Sequence, residues 1–256
     1  MILYCKCEGS DLIDFGSRGK MLHYLENSGL EYMEVADLCD QVSQKASWIQ
    51  QLTSKAQITL IACYPRTVEW LLHTSDVVVN DLNITYFNMR EQKVDDIIAE
   101  LKNSDSPKGG KVEVSNEDRP TGWFPVIDYA RCTNCGQCMD FCLFGVYDRL
   151  PDKSIKVVKP DNCKDKCPAC ARVCPHVAII FPKLNEKPIN GAEVDDSDID
   201  KTNLKLDITD MLGDDVYTAL AARKKRSKKN LLKAPDIDKA EAEKDVCSCK
   251  CNCNTK

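Results

Sequence analysis

Eight cysteines in two near-repeats constrain this chain more than any other feature. Cys132-Thr-Asn-Cys135-Gly-Gln-Cys138-Met-Asp-Phe-Cys142 has the spacing C-x2-C-x2-C-x3-C. Cys163-Lys-Asp-Lys-Cys167-Pro-Ala-Cys170-Ala-Arg-Val-Cys174-Pro175 has C-x3-C-x2-C-x3-C-P, beginning 31 residues later. A cube of four irons and four sulfides takes one thiolate at each iron corner. Three close cysteines on a wrapping loop reach three corners, and a fourth, one helical step on, is carried toward the other cube. The spacing therefore predicts two 4Fe–4S clusters. Structural zinc uses paired C-x2-C elements in fours and suits the triplet-plus-one pattern poorly. Cys163-x3-Cys167-x2-Cys170 also has the spacing of the radical S-adenosylmethionine motif. That chemistry needs a large barrel downstream, and only 82 residues follow Cys174.

Over residues 121–182 these motifs resemble the bacterial two-cluster ferredoxin family. The resemblance implies a ligand swap: Cys132, Cys135, Cys138 and Cys174 on one cluster, and Cys163, Cys167, Cys170 and Cys142 on the other. Leu143 stands where the family has proline, and the second motif has one extra residue between its first two cysteines. Residues 121–182 carry eight basic and six acidic side chains. Each oxidised cube with four thiolates adds −2, so the loaded module is net negative, which disfavours further reduction and predicts low potentials.

Sixteen cysteines in 256 residues are too few for a disulfide scaffold, and the chain is long enough to bury a core without staples. Met1-Ile2-Leu3-Tyr4-Cys5 has no basic leader region, and no apolar run reaches the roughly 18 residues of a membrane helix. The expectation is a cytoplasmic protein without membrane insertion, whose reduced thiols serve metals. The net charge of −5 argues against nucleic acid and fits docking to a basic patch on a protein partner, or equally a solvated surface. The cluster motifs make the expected partner a redox protein, such as a flavoprotein or an oxidoreductase complex.

The first hundred residues alternate strand and helix patterns. Ile2–Cys7, Glu31–Cys39, Ile58–Cys63 and Ile84–Met89 read as strands. Residues 18–28, Ser47–Ala56, the stretch from Pro65 and the stripe Val94, Ile97, Ile98, Leu101 read as helices. This predicts a small parallel α/β domain over 1–101. Cys5 and Cys7, Cys39, and Cys63 then end three parallel strands, whose carboxyl ends share one edge. The four are candidates for a third iron–sulfur cluster; the competing reading packs Cys39 and Cys63 as small hydrophobes. Ile61-Ala62-Cys63-Tyr64-Pro65-Arg66-Thr67, with Cys5-x-Cys7 and Cys39, resembles the N-terminal domain of the flavin-binding subunit of heterodisulfide reductase over residues 1–75. Tyr64 replaces that family's serine, and no G-x-G-x-x-G flavin fingerprint occurs.

Residues 102–120 read as a linker, and Trp123 and Phe124 as packing for the first strand of the ferredoxin module. Residues 183–256 read as an acidic loop, helices over 204–212 and 216–232, and a tail without the apolar surface to fold alone. The tail's Cys247, Cys249, Cys251 and Cys253 alternate in a pattern able to bind soft metals. The Arg223–Lys229 run reads as a solvated helix face. No catalytic triad or carboxylate pair stands out. The predicted architecture is thus an α/β domain, an α+β two-cluster ferredoxin-like domain, and a partly helical, partly disordered extension. The expected function is single-electron transfer, as a carrier or as the electron-transfer subunit of a heterodisulfide-reductase-like complex. A redox- or iron-responsive sensor or assembly factor is the rival.

Overall fold

The computed structural model describes residues 1–55, 57–77, 82–104, 107–114, 122–195, 199 and 238–243. The helices expected over 204–212 and 216–232, the Arg223–Lys229 run and the Cys247–Cys253 tail lie outside the described residues.

The N-terminal unit is a parallel sheet of β1 (Ile2–Cys5), β2 (Tyr32–Val35), β3 (Ile58–Ala62), β4 (Ile84–Asn88) and β5 (Lys111–Val112) in the order β4-β3-β1-β2-β5. Leu3 pairs with Met33 on one side and Leu60 on the other. Every residue of β1 and β3 is buried, as a parallel sheet covered on both faces requires. Each Leu or Ile so buried contributes roughly 1.5–3 kcal/mol.

The helices are α1 (Phe15–Ser28), α2 (Leu38–Ser43), α3 (Pro65–Thr74) and α4 (Val94–Lys102). Asp14 caps α1, accepting from the Ser17 N–H at 2.8 Å, and Gly29 ends it at φ 69°. Pro65 opens α3 at the position where its missing N–H costs nothing.

Three expectations change. The chain leaves the sheet at Val35, and Asp37 starts α2 by accepting from the Cys39 and Asp40 N–H groups, so Cys39 is in a first helical turn rather than at a strand end. Ser47–Ser54 is a 3₁₀ helix, with Trp48, Ile49 and Leu52 buried. The stretch 102–120, expected to be a linker, supplies β5, which pairs with β2.

The C-terminal module follows in an α+β arrangement. A ribbon pairs β6 (Val126–Ile127) with β9 (Ile179–Ile180), and a hairpin pairs β7 (Tyr147–Arg149) with β8 (Ile155–Val157). Between them lie α5 (Gln137–Phe141) and α6 (Ala169–Arg172). The two units share an interior: Phe124, Val126 and Ile180 belong to the same buried cluster as the sheet residues Ile2, Leu3 and Ile61.

The joint is made by side chains of the first unit reaching main-chain carbonyls of the second. Arg66 donates to the Val177 carbonyl at 2.5 Å and pairs with Asp128 at 2.7 Å. Thr67 donates to the Asn190 carbonyl at 3.1 Å, and Arg90 to those of Pro182 and Leu184 at 3.3 and 3.2 Å. Gly191 has φ 93°, and a Cβ there would fall 1.7 Å from Thr67 Oγ1.

Candidate metal centres

The internal repeat is visible in the backbone. The residue before the second cysteine of each motif is left-handed, Asn134 and Lys166 both at φ 57°. The third residue after the fourth cysteine is left-handed too, Gly145 at 63° and Val177 at 51°. Glycine suits that turn; a β-branched valine there is strained, and the Arg66 bond to its carbonyl helps hold it. These turns wrap each cysteine loop, while α5 carries Cys138 and ends at Cys142, and α6 carries Cys170.

The folded module sorts its cysteines into two sets, each with three from one motif and one from the other. Cys142, Cys163, Cys167 and Cys170 line one recess that opens to solvent. Its walls include Phe141, Phe144, Val146 and Tyr147, and Ala240 of the helical residues 238–243 belongs to one buried cluster with Cys167, Ala169 and Val173, against which Phe141 and Phe144 pack. The Tyr147 hydroxyl donates to Cys170 Sγ at 3.1 Å. Burial first, then the neighbouring Cys163 and Cys142, pushes the Cys170 thiol well up.

The other set is Cys132, Cys135, Cys138 and Cys174. Burial, followed by Cys174, Cys132 and Cys135, pushes the Cys138 thiol up to about 12. The Ala178 N–H donates to Cys174 Sγ at 3.3 Å. Cys135 is exposed and Cys138 buried, so this set spans the surface.

The four N-terminal cysteines also gather, at the carboxyl end of the sheet where β1 lies between β2 and β3 and the winding reverses. Ligands bind at this position in open α/β sheets. Cys5 ends β1, Cys7 follows at φ 54°, Cys39 is in α2, and Cys63 is between β3 and α3. All four thiols are pushed up, first by burial; Cys5 and Cys63 each feel Cys7, and Cys39 feels both Cys63 and Cys7. The Leu38 N–H donates to Cys5 Sγ at 3.3 Å, and Cys7 Sγ is 3.1 Å from Ser10 Oγ. Two cations attend the set. Lys183, buried, pairs with Asp37 at 3.1 Å and Asp40 at 3.3 Å and lowers the Cys39 thiol; Arg90 acts likewise on Cys63. A smaller recess touches Cys39 alone of the four.

None of the twelve described cysteines is in a disulfide. Among the described residues, no three His, Cys, Asp or Glu side chains close on a single ion position. The thiols of the recess surround a volume rather than a point, a donor set suited to a cube and unsuited to a lone ion. The apolar walls and the sulfur-directed donors match that group as well.

Sequence reasoning missed Tyr147, Lys183 and Arg90, and quoted Arg66 without foreseeing its partners. Asp37, two residues before Cys39, carried a readable helix-cap signal; the other four act across the tertiary fold on partners distant in sequence.

Residues 124–198 match the family model of the 4Fe-4S dicluster domain, a span that includes all eight module cysteines. An uncharacterized ferredoxin of Methanocaldococcus jannaschii is 42% identical over 71 residues, which are 27% of this chain and 48% of that protein. The chain thus spans about half the length of the curated relative it matches. No solved structure matches the chain. The module is therefore a ferredoxin-like domain for 4Fe–4S clusters. The family match begins after the N-terminal unit, and the comparisons do not show the likeness of residues 1–75 to heterodisulfide reductase. No helix among the described residues is long and apolar enough to cross a membrane.

Proposed function

We propose that this chain moves single electrons through two 4Fe–4S clusters in the module and a third in the N-terminal unit, exchanging them with a protein redox partner. Bound clusters supply one-electron chemistry. Cys132, Cys135, Cys138 and Cys174 hold the first, and Cys142, Cys163, Cys167 and Cys170 the second. Cys5, Cys7, Cys39 and Cys63 hold the third. The observation that carries the reading is the apolar recess lined by four cysteines, one of them lent by the opposite motif.

The protein's own groups do the rest. Phe141, Phe144 and Val146 keep water from the second site. The Tyr147 hydroxyl and the Leu38 and Ala178 N–H groups place positive dipole ends on sulfur. Lys183 and Arg90 offset the charge that four thiolates bring into the N-terminal site. The third site also supports a narrower role, as the electron-transfer subunit of a heterodisulfide-reductase-like complex, because it gathers the cysteines that carry that resemblance.

Anaerobic reconstitution with iron and sulfide analysis tests this on a basis of four irons per cube. Full-length protein should hold about twelve irons, and Cys63→Ser and Cys170→Ser about four fewer each. Equal iron in wild type and Cys63→Ser removes the third site. An iron-free, spectroscopically silent chain removes the whole proposal.

A further inference from the structure

The second cysteine set opens onto a face unlike the rest of the described surface. Three large hydrophobic side chains are exposed among the described residues, and two of them are here: Leu143 at 58% and Val158 at 41%. Leu143 and Lys164 line the mouth of the recess. The segment 158–162 lies against it, because the Val158 and Lys159 N–H groups donate to the Val146 carbonyl and Asn162 Nδ2 to that of Phe144. Residues 153–166 carry five lysines and two aspartates; Lys153, Lys156, Lys159 and Lys166 are exposed. The N-terminal unit has the opposite balance, eight basic and fifteen acidic side chains over residues 1–101. Near the first set, residues 133–141 offer Asp140, and an exposed cation, Arg149, donates to the Asn134 carbonyl.

We infer that this face is the electron-exchange docking surface, and that it takes an acidic redox protein whose cofactor opens within a ring of carboxylates. The inference rests on the electron-transfer reading and adds to it a place and a partner chemistry. Lysines around an apolar centre steer an acidic protein by long-range attraction, and the acidic N-terminal unit repels the same protein from the wrong side. Leu143 and Val158 then bury against the partner, directly over the recess where water exclusion matters.

The test uses the full chain, reconstituted, with iron and EPR signals confirmed and then reduced with dithionite. An acidic flavodoxin is the probe, its reduction followed by flavin absorbance in stopped flow at several ionic strengths. The wild-type rate should fall as salt rises. The triple variant Lys156→Glu, Lys159→Glu, Lys164→Glu should lose roughly tenfold or more at low salt and lose the salt dependence. Reversing Lys20, Lys93 and Lys102 on the N-terminal unit makes the same change in net charge and should leave the rate near wild type. Leu143→Ser should slow the reaction without altering the salt slope. A rate that rises with salt, or an equal loss in the N-terminal control, overturns the inference. So does sedimentation showing a wild-type dimer that the triple variant dissociates, since a second copy then covers the face. Loss of iron and EPR signals in the wild type defeats the underlying reading instead, and carbodiimide cross-linking of the flavodoxin to these lysines reads the docking face independently of it.

Discussion

At Tyr147 a single hydroxyl distinguishes two otherwise repeated sites. Tyr147 is five residues after the fourth cysteine of the first motif; the matching residue after Cys174 is Ile179. Burial pushes the Tyr147 phenol well up, so it stays a donor, and it is aimed at Cys170 Sγ. A donor on a ligand sulfur favours the more negative, reduced state. Tyr147→Phe keeps the shape and removes only the donor, so an EPR-monitored redox titration should find the midpoint of the cluster held by Cys170 lowered and the rest unmoved. A titration with every midpoint unmoved would refute this role. The cysteines were legible because their spacing is local chemistry. Tyr147 was not, because its partner is 23 residues away and is reached only after β7 and β8 pair. The repeat itself is half legible: Gly145 announces its left-handed turn, and Val177 makes the same turn with a residue that hides it.

Helix α3 acts as a bolt between the two units, and α6 as a clasp. Arg66 and Asp128 are nearly buried and paired, and breaking such a pair from one side costs about 3–5 kcal/mol. Arg66→Ala should therefore lower the denaturant midpoint and separate one unfolding transition into two; a single unshifted transition would show that the bolt carries no load. In α6, Arg172 grips Glu186 through two bonds of 2.7 Å and Glu243 through its Nε. The Arg172 hydrogen bond holds the Glu186 carboxyl down at about 2. A depressed carboxylate contributes its stabilisation in full above its ordinary value of 4.5 and loses it as pH falls toward 2. Acid unfolding followed by circular dichroism should thus show a loss of stability between those values that Glu186→Gln lacks. The elements most legible in sequence were the fully buried, mainly apolar strands β1 and β3. The misread run 31–39 kept an apolar pattern past Val35, and there the Asp37 cap outweighed it. The strand β5 was hidden in polar residues, since pairing at a sheet edge needs only main-chain groups.

Across the whole molecule, the joining of the two units was not readable from composition. Several of its bonds end on the carbonyls of Val177, Pro182, Leu184 and Asn190, which every residue type offers, and its ion pairs, Arg66 with Asp128 and Lys183 with Asp37 and Asp40, join residues far apart in sequence. Phe124, Val126 and Ile180 complete the packing by filling the first unit's core. Heating the loaded protein should therefore bleach the cluster absorbance and unfold the sheet in one coincident transition; bleaching well ahead of the far-ultraviolet change would contradict this. The shared interior also bears on how the molecule fails. Cys63 and Cys163 both pack against that interior, so in the loaded protein oxidative damage begun at one centre would loosen a wall of the other and spread inward. A stressed population would then divide into chains that still conduct and chains that have collapsed, with few half-working survivors between them.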